Sequence, residues 1–331
     1  EARRAAMATE GKRASPGSIL LACAALLLPS ALVSGTDPLV RLNTPRGPVF
    51  MPQVALGVWE LNSTEVDTAI KFGLEVGFKH VDTANDYYNQ EAVGQAIRAY
   101  GSRRGVFLTT KVPGCKAKDP AACKGETAKA MEEDLELLGF DQVDLVLVHF
   151  PPRPFPYSPA DCERARAQWE ALEEAYAANK TRAVGVSNYC PSVIECIAPS
   201  DAAPRKGAVV PAVNQVQFHV GMGTDPGGIA SYCARRGILL QAYSPLGDGR
   251  SRELISGPLV MRIGAENGRS GVQTALKYVQ QLGLALVTKS TSRAHLAQDI
   301  DLFNWQLSPQ QMLELASATT PAANYSFACT A

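Results

Sequence analysis

From Val54 to Ile300 the chain alternates between short, nearly continuous apolar runs and longer stretches whose apolar residues recur at a helical spacing. The short runs, at 54–59, 78–82, 106–111, 143–149, 182–187, 211–217, 238–243 and 284–288, are too brief for helices and are apolar on both faces, the signature of strands covered on two sides. Helical periods fall between them. Ser63 or Thr64 can cap a helix carrying Val66, Ala69, Ile70 and Leu74, and further helices are expected near 89–100, 125–138, 162–178, 191–197, 226–236, within 258–282, and near 293–301. Before this series, Val40–Phe50 contains a Pro/Gly turn between two apolar pieces and is expected to form a hairpin, and a last helix is expected near Pro309–Ala318.

Eight strand–helix units imply an α/β fold, with a parallel sheet sheathed by helices. A (β/α)8 TIM barrel with an N-terminal β-hairpin is the predicted architecture, and an open doubly wound sheet is its alternative. Two features favour closure. No GxGxxG turn follows the first strand, and ionisable residues stand after many strands instead of clustering at one switch point. No linker interrupts the pattern, so residues 36–331 are expected to be one domain.

Residues 1–35 read differently. Arg3, Arg4, Lys12 and Arg13 precede the apolar run Ile19–Leu28, after which come Pro29, Ser34 and Gly35, the three parts of a signal or targeting segment. The run is short for a bilayer span, and none is expected after signal removal. On this reading the mature protein starts near Thr36 and enters the secretory pathway or an organelle reached through it. If the segment instead comes from a misplaced start codon, the protein is cytoplasmic.

Composition narrows the classes further. Lysine plus arginine and aspartate plus glutamate both number 32, which leaves no basic field for a nucleic acid. The eight cysteines include no CxxC pair and no zinc spacing. Losing Cys23 with the signal leaves seven, an odd set, so buried or half-buried free thiols are expected rather than a disulfide framework. No metal is expected.

The candidate chemistry stands at three strand ends. Asp82 ends the run 78–82 with Tyr87 five residues on, Lys111 ends the next strand, and His149 ends the one after. A barrel gathers such residues at one mouth. A phenol of ordinary pKa near ~10 is a poor acid at neutral pH, so the Lys111 ammonium is expected to lower it, with Asp82 holding the lysine charged and His149 orienting a carbonyl oxygen. Absence of GxSxG, HExxH and P-loop motifs removes hydrolase, zincin and NTPase readings. A carbonyl protonated at oxygen needs hydride at carbon, and a nicotinamide is the expected source.

Several spaced motifs resemble the aldo-keto reductase family over about Asn43 to Ser317. They are Asp82-Thr83-Ala84-x-x-Tyr87 with Val93-Gly94, Thr110-Lys111, Val143-Asp144-Leu145-x-x-x-His149-Phe150-Pro151, Gly185-Val186-Ser187-Asn188, Val213-Asn214-Gln215, Ala242-Tyr243-Ser244-Pro245-Leu246-Gly247 and Val287-Thr288-Lys289-Ser290. The resemblance implies that Tyr87 is the acid–base, tuned by Lys111 and Asp82. It further implies that Ser187, Asn188 and Gln215 bind the carboxamide, that Tyr243 stacks on the nicotinamide, that Ser244 and Leu246 hold the pyrophosphate, and that Trp59 lines the substrate mouth. Lys289 and Ser290, with His295 and Asp299, would face the adenosine end.

This chain departs from the family at several of these positions. His295 stands where the family carries arginine, Asp299 where it carries asparagine, Glu60 where many relatives carry lysine, and Gln90 where they often carry glutamate. NADP is the cofactor implied, with NAD not excluded. The implied activity is reduction of aldehydes or ketones by a monomer. Loops after Pro113, Phe150 and Gly221, with a short tail, would shape an open pocket for small or medium aldehydes. A Schiff-base lyase using Lys111, and a nicotinamide-binding regulatory barrel with little or no turnover, are the alternatives.

Overall fold

In the computed structural model, which describes residues 38–152, 161–198, 208–247 and 251–321, the eight apolar runs are strands of one closed parallel barrel. They are β3 (Val54–Gly57), β4 (His80–Asp82), β5 (Phe107–Val112), β6 (Val143–Val148), β7 (Thr181–Ser187), β8 (Val213–Gln217), β9 (Leu239–Tyr243) and β10 (Ala285–Thr288), each paired with the next. The ladder between β10 and β3, with Leu286 opposite Val54 and Thr288 opposite Leu56, closes the ring and excludes an open sheet. The signal-like segment, part of the loop after Phe150, and the tail beyond Pro321 lie outside the described residues.

The helices are α1 (Ser63–Val76), α2 (Gln90–Tyr100), α3 (Pro120–Leu138), α4 (Cys162–Ala177), α5 (Pro191–Ile197), α6 (Ile229–Arg236), α7 (Arg252–Ser256), α8 (Pro258–Glu266), α9 (Gly271–Gln281), α10 (Arg293–Ile300) and α11 (Pro309–Ala316). Helix α1 is capped by Asn62 rather than by Ser63 or Thr64. The Asn62 side chain accepts from the Thr64 and Glu65 amides while Glu65 reaches back to the Asn62 amide. Helix α3 starts five residues before the expected 125, because Asp119 accepts from the Ala122 amide and Pro120 fills the first turn, where no amide hydrogen is needed. Among the described residues, no helix is long and apolar enough to cross a membrane.

The hairpin is present as β1 (Leu39–Leu42) and β2 (Val49–Pro52), an antiparallel pair in which Leu42 faces Val49. It covers the N-terminal end of the barrel. Leu42, Val49 and Met51 are buried against Phe107, Leu145, Leu147, Ala183, Val213 and Ala285, residues that point inward from the first turns of the strands. A larger apolar layer, including Leu108, Val112, Val146, Val148, Trp169 and Leu172, lies between strands and helices.

Strand alternation then decides what stands above this floor. In β5, Phe107, Thr109 and Lys111 share the inner face while Leu108 and Val112 join the helix layer. Thr109 meets the buried ring of His80 (Oγ1 to Nε2, 2.8 Å), and His80 Nδ1 lies 3.2 Å from the Pro52 carbonyl of the hairpin. One layer higher, Lys111 and Asp82 occupy the equivalent inward positions.

The cysteine expectation is overturned. Disulfides join Cys115 to Cys123 and Cys162 to Cys196, with Cα–Cα separations of 5.3 and 5.6 Å, and Cys190 is disulfide-bonded as well. Cys233 is free and buried. Folding brings partners 34 positions apart within bridging distance, a proximity that sequence spacing does not encode.

Candidate active site

Four side chains expected from three strand ends meet at the C-terminal mouth of the barrel. Lys111, fully buried, donates to Asp82 Oδ1 at 2.6 Å, to the Thr83 carbonyl at 3.0 Å and to the Tyr87 hydroxyl at 3.1 Å. Asp82 receives a second bond from Gln215 Nε2 at 2.8 Å, so both of its oxygens are satisfied. The His149 ring stands edge-on to Tyr87, with centroids 5.7 Å apart, and stacks on Phe150. Tyr87 reaches this position from a single 3-10 turn, Asn85–Tyr87, which Thr83 and Ala84 join to β4.

Electrostatics corrects one expectation. Although burial alone would push the Lys111 amine down, the Asp82 carboxylate and Tyr87 hold it above the ordinary lysine value. Tyr87 is not made acidic in this pocket. Burial raises its phenol to about 12, and the Lys111 ammonium offsets only part of that rise. Lys111 therefore acts by limiting the cost of a phenolate, and the resting group is a protonated phenol.

A cavity of about 340 Å³ opens above this cluster. Trp59, Asp86, Tyr87, His149, Phe150, Asn188, Gln215, Gln217, Tyr243, Ser244, Leu246 and Lys289 are among its lining. Ser187 sits just beneath, donating to the Gln215 carbonyl at 2.8 Å. Asn188, in a left-handed conformation (φ 64°), donates to the His149 carbonyl at 2.9 Å and accepts from the Tyr243 hydroxyl at 2.9 Å. Lys289 donates to the Trp59 carbonyl at 2.9 Å and lies 3.6 Å from Glu60.

The remaining expected residues stay apart from this cavity. Ser290 accepts from the Ser292 amide, His295 sits exposed in the first turn of α10, and Asp299 is buried with Thr288 Oγ1 at 2.8 Å. Burial raises the Asp299 carboxyl to about 6.

Asp86 is the residue that sequence reasoning passed over. Its Oδ1 lies 2.8 Å from His149 Nδ1 across 63 positions of sequence. Beside Tyr87 it reads only as one more acid in a polar loop, and no spacing signals its partner.

The chemistry of the lining fits a nicotinamide cofactor. An aromatic face (Tyr243) and apolar surface (Leu246, Val287) adjoin amide side chains able to pair with a carboxamide (Asn188, Gln215), and a cation (Lys289) stands at the cavity's edge. Fold and site together define a (β/α)8-barrel protein with a buried lysine–tyrosine pair facing such a cavity. The sequence profile of the Aldo/keto reductase family matches residues 53–319, and the chain belongs to that family. The family's chemistry is the oxidoreduction of carbonyls. Among its relatives, a morphine 6-dehydrogenase of Pseudomonas putida is 31% identical over 300 residues, covering 87% of this chain and 93% of that one. A 9,11-endoperoxide prostaglandin H2 reductase of Trypanosoma cruzi (strain CL Brener) is 30% identical over 269 residues, covering 81% and 87%. The crystal structure of an aldo/keto reductase from Brucella melitensis superposes with a TM-score of 0.73 at 28% identity, over 86% of this chain and 98% of its own.

Proposed function

We propose that this protein reduces aldehydes or ketones to alcohols, with Tyr87 as the proton donor and NADP(H) as the cofactor. The observation that carries this reading is the buried Lys111 amine, 2.6 Å from Asp82 and 3.1 Å from the Tyr87 hydroxyl, two residues that line the cavity. When bound, the nicotinamide supplies hydride to the carbonyl carbon. The protein's part is to bind and orient the substrate and to move one proton. Tyr87 offers its hydroxyl hydrogen to the carbonyl oxygen, and the fixed ammonium beneath it stabilises the phenolate left behind. Asp82, itself held by Gln215, keeps that ammonium charged and aimed.

Ser187, Asn188 and Gln215 would hold the carboxamide, Tyr243 the ring face, and Ser244 and Leu246 the pyrophosphate. Lys289 is a cation in the cavity lining, and Ser290, His295 and Asp299 would face the adenosine end. NADP(H) is assigned over NAD(H) on Lys289, although Glu60 beside it and the missing arginine at His295 weaken the hold on a second phosphate. A Schiff-base role for Lys111 requires a neutral amine, and the Asp82 pair opposes that. The disulfides and the signal-like run at Ile19–Leu28 both favour work in an oxidising compartment.

The test is to follow NADPH and NADH oxidation across a panel of aldehydes and ketones for the parent and for Tyr87→Phe. The variant is expected to lose several orders of magnitude in kcat while cofactor affinity is kept, because one oxygen carries the proton. A Tyr87→Phe rate within tenfold of the parent overturns the assignment.

A further inference from the structure

The bond between Asp86 and His149 fixes more than a ring orientation. A carboxylate can only accept, so Nδ1 at 2.8 Å from Asp86 Oδ1 must be the nitrogen that carries hydrogen. In a neutral imidazole the other nitrogen, Nε2, is then a bare acceptor. His149 lines the cavity, and within the described residues the only hydrogen bond of its ring is the one from Nδ1. Nε2 is thus left for a ligand.

The ring's surroundings favour the neutral form. Burial lowers its affinity for a proton, and although Asp86 and Asp82 pull the other way, the Lys111 ammonium adds to the lowering. These three are the charged groups that act on the ring among the described residues. Asp86 itself is held below the usual carboxylate range, since its bond to His149 and the nearby Lys111 outweigh the effect of burial.

We propose that Asp86 locks His149 as its Nδ1–H tautomer, so that Nε2 meets substrate as a hydrogen-bond acceptor and the site favours carbonyl compounds with a hydroxyl on the adjacent carbon. This deepens the carbonyl-reductase reading and rests on it. Lys111 donates to the Tyr87 oxygen, which leaves the phenol's own hydrogen for the carbonyl oxygen. The substrate's hydroxyl gives its hydrogen to Nε2. A plain carbonyl compound satisfies Tyr87 but leaves Nε2 without a donor, and a cavity-facing polar group left unmatched costs affinity in the transition state. Asp86 is a positioning residue here, acting through His149.

Two measurements decide it. The first needs no turnover: histidine ¹⁵N shifts of the parent at pH 8, with His149 assigned by its loss in His149→Gln. A protonated Nδ1 and a bare Nε2 are expected, and a ring protonated at Nε2 alone overturns the proposal. The second compares kcat/KM for hydroxyacetone and acetone in the parent and in Asp86→Leu. The ratio is expected to fall at least tenfold in the variant, and in the parent to decline once the pH is low enough to protonate the ring, where Nε2 turns donor. An unchanged ratio in a variant that melts cooperatively overturns the proposal. If neither ketone nor any aldehyde is turned over, the carbonyl-reductase reading fails while the tautomer is still decided by the shifts.

Discussion

Lys111 is a charged amine with no exposed surface, and its neighbours explain why the fold tolerates it. Three acceptors take its three hydrogens, one of them the Asp82 carboxylate, so the ion pair is fully matched. Breaking such a pair from one side leaves a buried charge alone, which typically costs ~3–5 kcal/mol. Lys111→Met is therefore expected to lower the unfolding free energy by about that amount and to abolish reduction. Adding Asp82→Asn to it is expected to restore part of the stability in urea titrations but none of the activity. A double variant no more stable than the single one counts against the pairing. At this scale the sequence was informative but incomplete. Asp82, Tyr87, Lys111 and His149 were legible because each follows an apolar run, and the barrel mouth is where such residues gather. The acidity of Tyr87 was not legible, since it depends on how deeply the ring is buried. Nor was Asp86, whose role depends on a partner 63 residues away.

The turn that carries Asp86 and Tyr87 is cross-tied to two other elements. Asn85 donates to Asp134 Oδ1 of α3 at 2.7 Å, and Thr110 of β5 lies 3.0 Å from Asp134 Oδ2. Just after the turn, Asn89 donates to the Val58 and Leu61 carbonyls at 2.8 and 3.0 Å. Asp134 is buried, and burial raises its carboxyl to about 7 from an ordinary 3.8. A raised folded pKa means that its stabilising contribution is complete below pH 3.8 and is lost as pH climbs through about 7. Asp134→Asn keeps one donor and one acceptor but cannot ionise. It is expected to match the parent's stability near pH 4 and to exceed it increasingly up to pH 7, at on the order of 1.4 kcal/mol per pH unit at most, with a constant gap above. Urea unfolding at several pH values checks this, and a gap that does not grow with pH counts against it. Elements as such were largely legible. The strand expected at 143–149 is Val143–Val148, and the helix expected at 191–197 is Pro191–Ile197. Errors fell at starts, as at Asn62 and Asp119, where a capping side chain rather than an apolar period sets the boundary. Why Val93 is followed by glycine emerges only from packing. A side chain at Gly94 would meet the Leu138 carbonyl at 2.0 Å, so α2 and α3 touch backbone to backbone there.

Across the whole molecule, the disulfides add constraints that counting cysteines argued against. Cys162–Cys196 links α4 to α5 across 34 positions, and Cys115–Cys123 ties the loop after β5 to α3 across 8. Loop-closure entropy puts their contributions at about 4 and about 2.5 kcal/mol. Replacing Cys162 and Cys196 together with alanine is expected to lower the urea midpoint more than replacing Cys115 and Cys123, and reductant, which also opens the Cys190 bridge, is expected to lower the parent's midpoint at least as far as both pairs of replacements do. Equal stability with and without reductant would rule the bridges out as contributors. The odd count misled because one cysteine, Cys233, is simply buried in the helix layer. The hairpin carries the last consequence. Leu42, Val49 and Met51 stop the barrel's lower end, so among the described residues that end is a plug and not a passage. Anything that occupies the cavity must therefore come and go on the side where the strands finish, past the same loops that hold Trp59, Phe150 and Leu246.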